Sequence, residues 1–156
     1  MMKTYYFEDF RLGGRFKSPG ITITEASIIE FAMRFDPQSF HMDREQAKES
    51  IYGGLIASGI HTVAITFRLF LLTGVLSNNL GSPGFDEIRW LRPVYPGDTL
   101  YTDVEVIEVR PSNSRLDRGT VRFRCTTLNQ RNEPVQTVLC NQLLKRRPSG
   151  DKPLTC

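Results

Sequence analysis

The chain holds few of the residues that signal a special environment. Its three cysteines, Cys125, Cys140 and Cys156, are an odd number without metal-type spacing. Two of them fall within strand-like stretches, where a free thiol acts as a small hydrophobe, so a reducing, cytoplasmic setting is expected. No apolar run reads as a membrane span, because the most apolar stretch, Leu55 to Leu76, is interrupted by His61 and Arg68 and fits a buried helix better. The N-terminus, MMKTYYFEDF, lacks the basic patch and apolar run of a secretory signal. Neither sign of charge dominates. The formal net charge of +3 rests partly on the tail Lys145-Arg146-Arg147, and no basic face interleaved with aromatics stands out, so nucleic acid is not an expected partner. Internal repeats and low-complexity segments are absent too.

What is there is one domain's worth of patterned sequence. The 156 residues can bury a core without staples, and the domain is expected over residues 1–147, with a loose polar tail at 148–156. Gly14 to Thr24 reads as an extended entry strand. Thr24 then offers a helix N-cap, and Ile28, Phe31, Ala32 and Phe35 follow at i, i+3, i+4 and i+7, one face of a helix. Pro37 ends that helix, because the residue before a proline avoids the helical region, and so Asp36 falls at its C-terminal edge.

Residues 37–58 read as an irregular segment with one short helix around Arg44 to Lys48, capped by Asp43. So long a segment in a compact domain is usually functional. A central helix is expected from Ser58 to about Ser77, ended by turn material running from Ser77 to Gly84. Strands follow: Phe85 to Leu91; a run in which Leu100, Val104 and Val106 alternate with Asp103 and Glu105; one in which Val121, Phe123 and Cys125 alternate with Arg122 and Arg124; and Val135 to Lys145. The α+β class follows, with an antiparallel sheet curled around the central helix. Gly97-Asp98 reads as a turn before a strand, with no chemistry.

The chemistry centres on Asp36-Pro37-Gln38-Ser39-Phe40-His41. An aspartate and a histidine on one irregular segment can converge on a single water, the carboxylate taking its proton and the imidazole holding it. A solvated loop histidine beside a helix-terminating aspartate is the plain alternative, and spacing alone leaves the two evenly matched. Gly59, after Ser58, adds weight to the first. A helix N-terminus has unpaired N–H groups and partial positive charge, and glycine there admits a ligand close to the backbone. One such donor to a developing oxyanion is worth about 2.7–4 kcal/mol in other enzymes. Because Asp36 lies at the negative end of a helix and stands to be buried, its pKa is expected to be raised. His61 reads as a core or interface histidine, and Arg68 as a helix cation with no nameable partner.

Together the first helix, the Asp-x-x-x-x-His loop, the glycine of the central helix and the turn Arg92-Pro93-Val94-x-x-Gly97-Asp98 resemble the MaoC-like dehydratases, hotdog-fold relatives of (R)-specific enoyl-CoA hydratases, from about Tyr6 to Lys145. That family's loop typically reads Asp-x-Asn-Pro-hydrophobic-His-x-Asp. Asp36, Phe40, His41 and Asp43 fit it, whereas Gln38 and Ser39 replace the asparagine and proline, and Ser58 replaces a histidine. The resemblance implies Asp36 and His41 as catalytic pair, Gly59 as oxyanion donor, and Ser58, Gln38 and Phe40 beside the substrate. It further implies a trans-2-enoyl or (R)-3-hydroxyacyl thioester of coenzyme A as substrate, no metal or redox cofactor, and a homodimer or larger homo-oligomer. Thioester hydrolysis and non-catalytic acyl-thioester binding are the alternatives within the same fold.

Overall fold

The structure is a computed structural model and describes residues 4–149; the tail from residue 150 onward lies outside the described residues. A 3-10 turn at Phe7–Asp9 precedes two short strands, β1 (Arg15–Lys17) and β2 (Ile21–Thr22), where one entry strand was expected. Both pair antiparallel with the strand Thr99–Pro111 (β4), on either side of a break at residues 18–20.

Helix α1 spans Glu25–Phe35, with Thr24 as N-cap accepting the Ser27 N–H at 3.1 Å. Its expected apolar face is met in part. Ile28 and Ala32 are fully buried, while Phe31 is half-buried. Phe35 is 68% exposed; it lies at the last helical position, its ring centroid 5.0 Å from that of Phe31.

The segment that follows is more ordered than the sequence implied. A single helical turn, α2 (Ser39–Met42), carries His41, and α3 (Arg44–Lys48) follows. His41 is therefore on a helix and not on a loop. Asp43 caps α3 as read, its carboxylate accepting the N–H groups of Glu45 and Gln46.

Helix α4 (Gly59–Leu72) is the centre of the fold. It stops about five residues earlier than expected, where Gly74 adopts φ +77°, a conformation that only glycine enters without strain. Residues 61, 62, 65, 66, 69 and 70 form its buried stripe. Phe70 packs into a cluster with Val104, Val106, Phe123 and Cys140, while Ile65 and Leu69 pack with Ile23, Ile28, Leu55 and Leu100. Between the clusters Thr66, Thr127, Thr102 and Gln136 hydrogen-bond to one another, as buried polar groups require. Ile60 and Leu71, on the side of α4 away from that stripe, are exposed, as is Arg68.

The sheet is antiparallel in the order β1-β4-β5-β6-β3, formed with β3 (Asn79–Trp90), β4 (Thr99–Pro111), β5 (Arg118–Leu128) and β6 (Pro134–Lys145). Along β4 and β5 alternate residues are buried against α4, which is the period of a half-buried strand. β3 begins at Asn79, six residues before the expected Phe85, inside the stretch read as a turn. Pairing with β6 overrides the local turn chemistry: register shifts near Gly81 and Gly84 absorb the extra residues. Pro83 is tolerated because β3 is an edge strand, with one side unpaired among the described residues.

Candidate active site

Asp36 is the C-cap of α1, where the backbone leaves the helix at φ −153°. Its carboxylate takes two donors, the Ser58 hydroxyl to Oδ2 at 2.5 Å and the Gln38 amide to Oδ1 at 2.7 Å. The Nε2 atom of His41 lies 3.5 Å from the same Oδ2, the two side chains being 4% and 20% exposed. The sequence-based pairing of Asp36 with His41 is thus a spatial fact.

The histidine is fixed from behind. His41 Nδ1 is 2.8 Å from the carbonyl oxygen of Ile56, and a carbonyl can only accept, so Nδ1 carries the proton. In the neutral ring Nε2 is then the free lone pair, directed toward Asp36. Phe40 meets the imidazole edge-on at 4.5 Å. Ile56 N–H donates to Phe40 O, and Ala57 N–H to Val94 O, so the approach to α4 is tied to α2 on one side and to residues 91–94 on the other.

The Asp36 pKa is lowered, which corrects the expectation that it would be raised. Burial does push it up, and is the largest single influence, but the Ser58 and Gln38 hydrogen bonds and the nearby His41 together outweigh it. The expectation counted burial and the end of α1; the two donors come from other parts of the chain. Ser58 is buried and turned to Asp36, while also accepting the Ile60 N–H as N-cap of α4. It therefore supports the carboxylate rather than lining the substrate space. Gln38 does both.

A cavity of about 410 Å³ opens beside His41, lined also by Gln38, Phe40, Gly59, Thr62, Trp90 and Arg92; Asp36 is not among its lining residues and reaches it only through His41 and Gln38. Gly59 is the first residue of α4, and its N–H is among those a helix leaves without an intrahelical partner. Its missing side chain serves a contact that the sequence did not reveal. A Cβ there would fall 2.5 Å from the indole of Trp90, whose Nε1–H donates to Gly59 O at 2.9 Å. Trp90 and Arg92 were missed because they belong to a strand end and turn read as structural; the only signal was the family-like Arg92-Pro93-Val94 run. Asp98 behaves as read, accepting Tyr95 N–H and the Gln130 amide.

His61 is buried but does not line the cavity. It stacks on Phe31 with centroids 4.5 Å apart and 7° between planes, and its Nδ1 has no hydrogen-bond partner among the described residues. Burial lowers its pKa. Arg68 is exposed on α4. Among the described residues no group of three or more His, Cys, Asp or Glu side chains could hold a metal, and no helix is long and apolar enough to cross a membrane.

A long helix wrapped by a curled antiparallel sheet is the hotdog architecture; a Mycobacterium tuberculosis protein similar in structure at a TM-score of 0.70 and 23% identity is described as having a double hotdog fold. Within that class the chain belongs to the MaoC-like domain family, whose sequence profile matches residues 9–127. It is similar to the MaoC-like dehydratase from Rhodospirillum rubrum at 41% identity and a TM-score of 0.81, covering 92% of this chain and 98% of that one. The uncharacterized protein YdeM of Bacillus subtilis strain 168 is 34% identical over 140 residues, 89% of this chain and 98% of that protein. A mesaconyl-CoA hydratase of Cereibacter sphaeroides is 37% identical over 73 residues, 47% of this chain and only 21% of that protein.

Proposed function

We propose that the chain is a hydratase/dehydratase that interconverts a trans-2-enoyl thioester, carried on coenzyme A, and the (R)-3-hydroxyacyl thioester. The observation that carries this reading is the 3.5 Å separation of Asp36 Oδ2 from His41 Nε2, with His41 and Gly59 lining one cavity. Two acceptors so close can share one water, with the Asp36 carboxylate and the imidazole lone pair each receiving one of its hydrogens. As the water oxygen bonds to the β-carbon, one of its protons passes to Asp36, with His41 holding it in line. The electron pair of the double bond moves to the α-carbon and the thioester oxygen, where the Gly59 N–H offsets the developing enolate charge. The pair then returns a proton to the α-carbon, so that one water has been added across the double bond. Each step uses side chains, backbone and water alone.

The free thiols of Cys125 and Cys140 suit a reducing cytoplasm. A homodimer is part of the proposal: among the described residues the outer edge of β3 is unpaired, and Ile60, Leu71 and Leu80 are exposed apolar residues on α4 and β3.

The test is to incubate the protein with a short trans-2-enoyl-CoA. Loss of the conjugated-enoyl absorbance without free thiol, with deuterium entering the α-carbon in heavy water, is the expected result. Stoichiometric thiol release with the double bond retained would replace hydration by hydrolysis. No reaction at any chain length would leave acyl-thioester binding.

A further inference from the structure

Trp90 is the sole tryptophan of the chain and the last residue of β3. It pairs in register with Gln136 of β6, and its ring lies over the Cα of Gly59, at the start of α4. The indole is 53% exposed, so burial in the core does not account for its position. What holds it is the hydrogen bond from Nε1 to Gly59 O at 2.9 Å, which uses its one polar atom and leaves only hydrocarbon to face the cavity. Phe40, Ile56, Ile60, Leu91 and Val94 add apolar wall, interrupted by Thr62 and Arg92. At about 410 Å³ the space is at the small end of ligand sites.

We infer that Trp90 is a specificity-determining residue, whose indole closes the apolar end of the cavity next to Gly59 and restricts the acyl group to short chains. The inference rests on the reading of the cavity as an acyl-thioester site. A thioester oxygen held by the Gly59 N–H lies within a few ångströms of the indole, so the ring is within reach of an acyl chain that also passes His41 and Phe40. Removing the ring extends the cavity where added methylenes would go, and each methylene that finds an apolar pocket strengthens binding.

The experiment uses saturated thioesters, which bind without being hydrated. Calorimetry with butanoyl-CoA and decanoyl-CoA should show the wild-type protein favouring the shorter ligand by about ten-fold or more. Trp90→Ala should bring the two within about three-fold by tightening the longer. In the wild type, butanoyl-CoA should also change the emission of the single tryptophan. A wild type indifferent to length, a Trp90→Ala variant with the same ratio, one that weakens both ligands equally, or unchanged emission on binding would each overturn the inference. Length-selective binding by a protein that hydrates no enoyl thioester would defeat the proposed reaction but leave the role of Trp90 intact. Binding of neither ligand would overturn both.

Discussion

The Ser58 hydroxyl donates to Asp36 Oδ2 at 2.5 Å, linking the N-cap of α4 to the C-cap of α1 across 22 residues of sequence. The contact favours the ionised carboxylate. It also couples the start of the proposed oxyanion helix to the proposed base, so a change at one residue should be read at the other.

That coupling predicts a pH signature. The Asp36 pKa is depressed below its ordinary 3.8, so the carboxylate persists in acid and activity should fall only as pH drops through that lower value. The stability it contributes has the same sign: fully present above 3.8, lost as pH falls through the folded-state value. Ser58→Ala removes one donor, so the acid limb of kcat/KM should move to higher pH and the rate fall by about ten-fold. An unmoved limb would mean that Ser58 does not tune Asp36.

The two members of the pair should differ in how far chemistry separates from folding. Asp36→Asn should lower turnover by about 10²–10⁴-fold with little change in thermal midpoint. His41→Ala should lose as much activity but also about 1–3 kcal/mol of stability, because the buried Ile56 carbonyl loses its donor. Turnover assays paired with thermal melts check both, and near-wild-type rates would refute the assignment.

Trp90 accounts for the glycine at 59 by occupying the space where a Cβ would go. Gly59→Ala should therefore cost about 1–3 kcal/mol through overpacking. The Gly59→Ala/Trp90→Ala double variant should be more stable than the sum of the two single changes predicts. A double-mutant cycle by chemical denaturation measures this; strict additivity would show that the two residues do not compete for that space.

His61 gives a second, independent pH effect. Its folded-state pKa lies below the ordinary 6.5 because it is buried, so the unfolded chain binds a proton that the folded chain resists. Stability should be intact above 6.5 and decline as pH falls from there toward the folded-state value, by up to about 1.4 kcal/mol per pH unit. His61→Phe, which keeps the stack on Phe31, should flatten that decline. Denaturation midpoints from pH 7 to 5 decide it.

Light scattering should give about twice the mass of one chain, and Leu80→Lys on β3 should shift the protein toward monomer, since a charge on an edge strand opposes pairing. A wild-type monomer that still turns over substrate would refute the dimer.

The sequence by itself determined the elements whose signals are local. Thr24 and Pro37 bound α1 to within a residue, Asp43 marked α3, and the alternation around Val104 and Val121 placed two sheet strands. It also placed Asp36 and His41 close together, because only five positions separate them. Tertiary structure decided the rest. Whether Asp36 is a strong or weak acid depends on Ser58, 22 residues away, and the space above Gly59 depends on Trp90, 31 residues away. The start of β3 depends on pairing with β6 across Gly81 and Gly84. Caps and periodicity arise from a residue and its near neighbours in the chain, and so can be read in order. The charge state of a carboxylate and the shape of a cavity arise from whichever groups folding brings within a few ångströms, and no local pattern encodes those meetings.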